Sequence, residues 1–327
     1  MIKNPKIVVI GGGTGSFTLL QSLKHLTPNL TALVNMADDG GSTGILRDEL
    51  GVLPPGDIRQ CLVAMSDAPL ALRELFNYRF PEDTSLSGHS FGNLFLSAVE
   101  KMTDDFGEAV QLASRVLHIS GQVIPVTLSN CNLCLQVDKL LVKGQYEIET
   151  TNFTDQAKPK LWLEPHAKLN PLARAAILGS DLVVIAPGNL YASLIPALLP
   201  IGMKKVLADT KAPVVYVCNL VNKPQHTAQF MVQDYVAELE RFVGPVIDYV
   251  LYNTDQPSAE ILEAYAVEGE RPVTVNKSSL KNQRYQAIGG HFLSHQVRQR
   301  NPNDKLILRS LIRHDAQAIT KALRQLL

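Results

Sequence analysis

Four glycines and one threonine stand close together near the start of the chain, where they could bind a phosphate. An apolar run at residues 6–10 precedes them and an amphipathic pattern begins at Ser16, so we predict a strand, a tight turn and a helix. Glycine lets the backbone approach a ligand closely, and the first turn of a helix offers unpaired N–H groups to an anion. The residues predicted to contact the phosphate are Gly12, Gly13, Thr14 and Gly15. The alternative is a turn in which glycine serves backbone geometry alone.

The spacing of these glycines matches the dinucleotide fingerprint G-x-G-x-x-G only in part. Gly11 and Gly13 occupy the first two glycine positions, but Ser16 stands at the third. This mismatch counts against an NAD-dependent dehydrogenase, so we rank that function last among the candidates.

Two adjacent carboxylates follow the next apolar run, residues 31–37. Asp38 and Asp39 lead into a glycine-rich stretch that ends at Gly44. Neighbouring residues of an extended segment point to opposite sides, so we expect at most one of the two to face a ligand. A carboxylate in such a loop can hydrogen-bond a ribose hydroxyl, or hold Mg²⁺ together with phosphate oxygens. Asp57, at the start of a later helix, is interpreted as a helix cap.

Three further polar segments could line the same site. Residues 187–191 repeat the order strand, glycine turn and helix, which is typical of either a second wall of a nucleotide site or a plain turn. Residues 87–93 combine two glycines with polar residues just before a helix, and they either face the ligand or cap that helix. Asn219, at the end of a predicted strand, could donate its amide to a base or a sugar. The other candidate site residues in these segments are His89, Asn93, Gly188, Asn189 and Tyr191.

The composition is that of a soluble globular protein. The 327 residues include 31 Lys plus Arg and 31 Asp plus Glu, and 46% of them are hydrophobic. This neutral balance gives no electrostatic reason to expect nucleic acid as a partner, and no apolar stretch reaches the roughly 20 residues of a membrane helix. A first strand at residue 6 leaves no signal peptide, and four cysteines do not form a disulfide framework in a chain of this length. We therefore expect a cytoplasmic protein.

Two short patterns could suggest a metal site, and we expect neither to form one. Cys131 and Cys134 make a C-x-x-C without a second ligand pair nearby, so they are interpreted as packing cysteines. His291 and His295 have helical spacing, but no Glu follows His291 as in the H-E-x-x-H motif. Beyond the predicted phosphate-binding turns, no acid–base pair or nucleophile stands out.

Apolar runs that alternate with helical patterns predict an α/β fold, Rossmann-like and doubly wound, with a mainly parallel sheet. Further strands are predicted at residues 181–186, 213–219, 246–252 and 271–275. A large inserted subdomain interrupts this order after strand 2, helical from 44 to 117 and alternating like a β-meander from 122 to 163. The prediction is a nucleotide-binding core of residues 1–40 and 170–327, with an inserted subdomain, 41–169, that covers the ligand cleft.

Six segments together resemble the bacterial gluconeogenesis factor family, the uridine-diphosphate-sugar-binding branch of the 2-phospho-L-lactate transferase superfamily. They are residues 11–15, 37–44, 46–59, 86–94, 186–191 and 217–220, and the resemblance runs nearly end to end. The resemblance implies a Rossmann-like core with an insertion and UDP-N-acetylglucosamine as a ligand. It also implies a cytoplasmic role in growth on gluconeogenic carbon and in cell shape.

The same resemblance implies that Tyr265 and Arg313 bind the UDP-sugar. The tyrosine would stack on uracil and the arginine would pair with the diphosphate. The alternatives are core packing for Tyr265 and a helix-start contact for Arg313.

The sequence is compatible with two functions. The first is a nucleotide-sugar-binding regulator that turns over no substrate. The second is a transferase-like enzyme that uses Mg²⁺ and a nucleotide-activated substrate, since the superfamily's enzymes join a phospholactyl group to a deazaflavin. Both need the same phosphate-binding turns, so the sequence does not separate them. We expect a homo-oligomer, with cell-wall or central-metabolism proteins as further partners.

Overall fold

A seven-stranded sheet lies at the centre of the computed structural model, which describes residues 2–153, 158–267, 269–294 and 312–327. Every neighbouring pair of strands in this sheet is parallel. The strands of the described ranges are β1 Ile7–Gly11, β2 Leu30–Val34, β3 Gln122–Pro125, β4 Asn132–Val137, β5 Leu140–Lys143, β6 Lys160–Glu164, β7 Leu182–Ile185, β8 Val214–Val217, β9 Val221–Asn222, β10 Tyr249–Asn253, β11 Arg271–Pro272 and β12 Gln286–Gly290.

Helices connect most of these strands, and their ends follow local sequence signals. At one helix start, the Oδ1 of Asn170 accepts a hydrogen bond from the N–H of Leu172 at 2.9 Å, and Pro171 takes the first helical position. The helices are α1 Gly13–Leu23, α2 Gly41–Leu50, α3 Gly56–Met65, α4 Leu70–Asn77, α5 Phe91–Thr103, α6 Phe106–Val116, α7 Gln145–Thr150, α8 Pro171–Leu178, α9 Ile195–Leu198, α10 Met203–Asp209, α11 Val232–Val243, α12 Ala259–Val267, α13 Lys277–Leu280 and α14 Ala316–Arg324, and a π-helical turn spans Leu190–Leu194.

The central sheet has the strand order β12-β10-β8-β7-β1-β2-β3. From β1 the chain proceeds to β2 and β3 on one side, and then returns to build β7, β8, β10 and β12 on the other. The point between β1 and β7 is therefore the topological switch point, where ligands of doubly wound folds bind. All residues of β1, β7 and β8 are buried, as expected for parallel strands covered on both faces. The predicted α/β, doubly wound fold is confirmed.

The prediction of a β-meander from 122 to 163 is wrong in two respects. First, β3 pairs in parallel with β2, with Thr31 opposite Gln122, so one strand of the segment assigned to the insertion belongs to the central sheet. Both Val123 and Ile124 are buried, which is the pattern of a strand covered on both faces. Second, the remaining three strands form a separate antiparallel sheet of order β5-β4-β6, because the chain returns to pair with β4 after α7.

The far edge of the central sheet also differs from the expected order. The predicted strand at 271–275 contributes only β11, which pairs antiparallel with β9 outside the central sheet. The edge strand is β12, whose sequence Gln-Ala-Ile-Gly-Gly lacks the apolar run used to predict the other strands. Among the described residues, no helix is long and apolar enough to cross a membrane.

Candidate functional site

Two glycine-containing turns meet at the switch point of the sheet. A Cβ built on Gly15 would lie 2.0 Å from the carbonyl oxygen of Pro187, so the turn after β1 touches the turn after β7. Gly13 has a φ of +65°, in the left-handed region that side chains rarely adopt. The structure thus brings the predicted residues 12–15 together with Gly188 and Asn189.

The first turn of α1 is open to an anion from the solvent side. Its N-cap is Gly12, which has no side chain to accept a hydrogen bond from the helix, and Thr14 is exposed. The Oγ of Ser16, where the fingerprint has glycine, is buried and has no hydrogen-bond partner among the described residues. The first N–H groups of a helix and its positive dipole end favour an anion at this turn.

Asp57, interpreted from the sequence as a helix cap, lies against this turn. Its carboxylate accepts a hydrogen bond from the backbone N–H of Gly13, and a Cβ on Gly12 would lie 2.1 Å from its Oδ2. Burial, and then the nearby charge of Asp38, raises the pKa of Asp57 to about 7. A carboxylate from α3 therefore occupies part of the space where a phosphate would approach.

Asp38 is the second member of this acidic pair. A Cβ on Gly56 would lie 2.9 Å from the Oδ2 of Asp38, so the carboxylate abuts the start of α3, beside Asp57. Asp38 accepts hydrogen bonds from the N–H of Gly40, at 3.1 Å, and from the side chain of Thr43. Burial raises its pKa, and these hydrogen bonds oppose the rise. Two adjacent carboxylates with raised pKa values are a suitable oxygen donor set for a hard cation such as Mg²⁺.

Asp39 points away from this pair and holds the insertion in place. Its Oδ2 accepts the N–H of Gln145 at 3.0 Å, and its Oδ1 accepts the N–H of Tyr146 at 2.9 Å. These are the first N–H groups of α7, so Asp39 caps that helix from a distance of more than 100 residues in the chain. Asp38 and Asp39, neighbours in the sequence, thus contact different elements.

His89 and Asn93 belong to a buried chain of hydrogen bonds beside the acidic pair. The Oγ of Ser42 lies 2.9 Å from the Nδ1 of His89 and accepts a hydrogen bond from the Nδ2 of Asn93 at 3.2 Å. The Oδ1 of Asn93 in turn accepts the Nε–H of Arg59 at 3.0 Å. Ser42 and Arg59 were not singled out from the sequence, although both lie within the segments that carry the family resemblance.

The second wall contains one amide that is not used by the protein. The Oδ1 of Asn189 accepts the N–H of Ala192 at 3.2 Å, whereas its Nδ2 is buried without a partner among the described residues. Asn219 is engaged through both ends of its amide, because its Nδ2 donates to the carbonyl of Gly188 at 2.7 Å and its Oδ1 accepts from the hydroxyl of Tyr216 at 3.0 Å. Asn219 thus braces the turn, and Asn189 offers a free donor to a ligand.

Tyr191 lies in the core and away from these turns. Its ring makes edge contacts with Phe153 and His226, and it is 1% exposed. Burial, followed by the charge of Glu238 on α11, raises its pKa well above the ordinary value. The structure therefore does not bring Tyr191 to the site.

Tyr265 and the residue before Arg313 meet beyond the end of β8, where Leu220 and Val221 pack against the same cluster. The hydroxyl of Tyr265 accepts the N–H of Ile312 at 3.0 Å, so the residue before Arg313 is bonded to it directly. The ring of Tyr265 packs in a small apolar cluster with Leu293 and Ile312 and is 8% exposed. Little of its face is left for a base, whereas the side chain of Arg313 is half-buried.

The structure describes both cysteines of the C-x-x-C pattern and the first of the two histidines. Cys131 and Cys134 are buried free thiols, and burial raises the pKa of both. His291 pairs with Asp255, and His295 lies outside the described residues. No group of three or more His, Cys, Asp or Glu side chains in the described ranges could hold a metal ion.

An anion-binding turn at the switch point of a doubly wound sheet is typical of α/β proteins that bind nucleotides. The family model of the 2-phospho-L-lactate transferase CofD matches residues 7–293 of the chain. The chain belongs to the gluconeogenesis factor family, a branch of the 2-phospho-L-lactate transferase superfamily.

Relatives in this family match over nearly the whole chain. The gluconeogenesis factor of Bacillus subtilis is 36% identical, over 100% of this chain and 99% of that protein. A relative from Nostoc sp. is 42% identical over 86% of this chain, which spans 62% of the length of that protein. The crystal structure of a UPF0052 family member from Bacillus halodurans has a TM-score of 0.89 and 33% identity, covering 99% of this chain and 100% of that one.

Proposed function

We propose that the chain binds a nucleotide sugar, UDP-N-acetylglucosamine, at the switch point, and acts as a regulator of growth and cell shape on gluconeogenic carbon. The observation that carries the proposal is the contact between Gly15 and Pro187, which brings two turns side by side at a helix whose N-cap residue, Gly12, has no side chain to cap it. The diphosphate would accept hydrogen bonds from the N–H groups of residues 12, 14 and 15 and from the Nδ2 of Asn189, and it would compete with the Asp57 carboxylate for the N–H of Gly13. The link to gluconeogenic carbon follows the name of the Bacillus subtilis relative, a gluconeogenesis factor, and the regulatory and cell-shape roles follow the family resemblance of the sequence.

Mg²⁺ is a suitable partner for this site. Asp38 and Asp57 would hold the ion together with phosphate oxygens, and the ion would neutralise the negative charge that these carboxylates and the diphosphate share. Without a cation, Asp57 would repel the diphosphate whenever it is ionised. We therefore expect Mg²⁺ to strengthen nucleotide binding, and to do so more at pH 8 than at pH 6.

The uridine and the sugar would extend along the carboxyl edge of the sheet, past the ends of β8 and β10. In this proposal, Arg313 would pair with the diphosphate. Tyr265 would hold the backbone beside Arg313 in position through its hydrogen bond with the N–H of Ile312.

The alternative is a transferase-like enzyme acting on a nucleotide-activated substrate. The acidic pair beside the phosphate turn favours it, because metal-assisted phosphoryl transfer needs carboxylates at this position. Binding without turnover needs the same groups, so the product must be measured. We expect UDP-N-acetylglucosamine incubated with the protein and Mg²⁺ to stay intact by chromatography, and no phospholactyl transfer to a deazaflavin. Steady turnover in either assay favours the transferase.

Calorimetric titration with UDP-N-acetylglucosamine, GDP and NAD, each with and without Mg²⁺, tests the ligand. The proposal predicts that the UDP-sugar binds most tightly and that Mg²⁺ increases its affinity. Tighter binding of GDP supports the transferase alternative, and tighter binding of NAD supports a dehydrogenase.

A further inference from the structure

Asp255 and His291 form a hydrogen-bonded dyad that the sequence did not reveal. The Oδ1 of Asp255 accepts a hydrogen bond from the Nδ1 of His291, although the two residues are 36 positions apart. A carboxylate can only accept, so Nδ1 carries the proton and a neutral imidazole presents a lone pair at Nε2. The side chain of His291 is 89% exposed and that of Asp255 is 15% exposed. The dyad therefore directs a hydrogen-bond acceptor toward the solvent.

The backbone around the dyad fixes both residues. The Oδ1 of Asn253 accepts the N–H of Asp255 at 3.2 Å and the N–H of Phe292 at 3.1 Å. The N–H and the hydroxyl of Thr254 both donate to the carbonyl of Gly290, at 2.9 and 3.1 Å. Asp255 Oδ2 is buried and has no partner among the described residues. An ordinary surface pair joins two mobile side chains, whereas this dyad is built on two interlocked segments.

The position of the dyad connects it to the nucleotide site. It follows the carboxyl ends of β10 and β12, on the same edge of the sheet as the turns after β1 and β7. Three strand spacings separate β12 from β7, which is about 14 Å. Leu293, two residues after His291, packs in the cluster that contains Tyr265. The dyad thus stands at the outer end of the edge along which a nucleotide sugar would lie.

We propose that Asp255 and His291 form a subsite for the nucleotide sugar, in which Nε2 accepts a hydrogen bond from an N–H or O–H group of the ligand. This inference rests on the proposed function. The donor is either the imide N–H of uracil or a hydroxyl of the sugar, which share the same hydrogen-bonding chemistry. Asp255 is a positioning residue, because it acts by keeping the proton on Nδ1.

The test is calorimetric titration of UDP and of UDP-N-acetylglucosamine at pH 8.5. The proteins are the wild type, His291→Ala, Asp255→Asn, the double variant and a control, His25→Ala. His25 is also exposed but follows the end of α1, at the opposite edge of the sheet. We expect His291→Ala to weaken binding about three- to tenfold, the effect of one net hydrogen bond, and His25→Ala to change nothing. The double variant should bind no more weakly than His291→Ala, because Asp255 acts through His291.

The ligands distinguish the donor. Equal loss for UDP and the UDP-sugar places the donor on the uridine, and loss for the UDP-sugar alone places it on the sugar; both outcomes support the subsite. Wild-type affinity for both ligands in folded His291→Ala overturns the dyad inference and leaves the proposed function standing. If the wild type binds neither ligand, the proposed function fails and this inference fails with it.

Discussion

Gly13 allows the phosphate-binding role of the first turn to be tested by adding a single methyl group. The nearest atom to a Cβ built on Gly13 is the Oδ1 of Asp57, 3.9 Å away, so Gly13→Ala fits the unliganded protein. The φ of +65° makes alanine strained there, by about 1–2 kcal/mol. For 327 residues, an unfolding entropy of about 2.1 cal/mol/K per residue converts this strain to a Tm decrease of roughly 1.5–3 °C.

The same methyl group should have a larger effect on ligand binding. It enters the space that a diphosphate needs in order to reach the N–H groups of α1. Overpacking of this kind costs about 1–3 kcal/mol, which corresponds to an affinity for UDP-N-acetylglucosamine reduced about 5- to 150-fold. Calorimetric titration at a fixed Mg²⁺ concentration measures this change.

Gly51→Ala is the matched control. Gly51 has a φ of +66°, no atom lies within 4 Å of its added Cβ, and it ends α2 on the surface. It should therefore lose the same thermal stability as Gly13→Ala while binding the UDP-sugar normally. Wild-type affinity in folded Gly13→Ala, or equal loss of affinity in both variants, would refute the role of this turn.

Three further predictions follow from the ionisable groups. Asp57 keeps its proton up to about pH 7 in the folded chain but only to about pH 4 in the unfolded chain, so the free energy of unfolding falls by up to about 4 kcal/mol as the pH rises from 4 to 7. Asp57→Asn should therefore have a higher Tm than the wild type at pH 8. The variant should also lose the Tm increase that Mg²⁺ gives the wild type. Burial lowers the pKa of His314 to about 4, so the free energy of unfolding decreases by about 2 kcal/mol as the pH falls from 6.5 to 5. Denaturant titrations at these two pH values should show a smaller decrease for His314→Gln. Arg313→Ala should weaken UDP-sugar binding about tenfold and make the residual affinity less dependent on salt, and an unchanged salt dependence would contradict pairing with the diphosphate.

The central strands were predictable because parallel strands covered on both faces are continuous apolar runs. The runs at residues 6–10, 181–186 and 213–219 became β1, β7 and β8. β12 escaped prediction because it is an edge strand with two glycines, held by backbone hydrogen bonds to β10. β3 was assigned to the wrong sheet, since a four-residue strand does not specify its partner.

The site was predictable where local geometry determines it, and not where distant segments meet. The turn after β1 and the turn after β7 each carry their own signal of strand, glycine and helix. The contacts of Asp57 with Gly12 and Gly13, and of Asp39 with α7, join segments far apart in the chain and depend on how α3 and the insertion pack. Tyr191 was predicted to line the site, but it is buried in the core. The short segment after Asn189 does not specify which of its side chains turn inward.

Hydrogen exchange of the backbone amides tests the position of the ligand most directly. Saturating UDP-N-acetylglucosamine with Mg²⁺ should slow the exchange of the amides of residues 12, 14 and 15, because these N–H groups would then donate to phosphate oxygens. Amides of α10, which ends at the opposite edge of the sheet, should exchange as before. Binding by calorimetry without protection at residues 12, 14 and 15 would contradict a diphosphate site at the switch point.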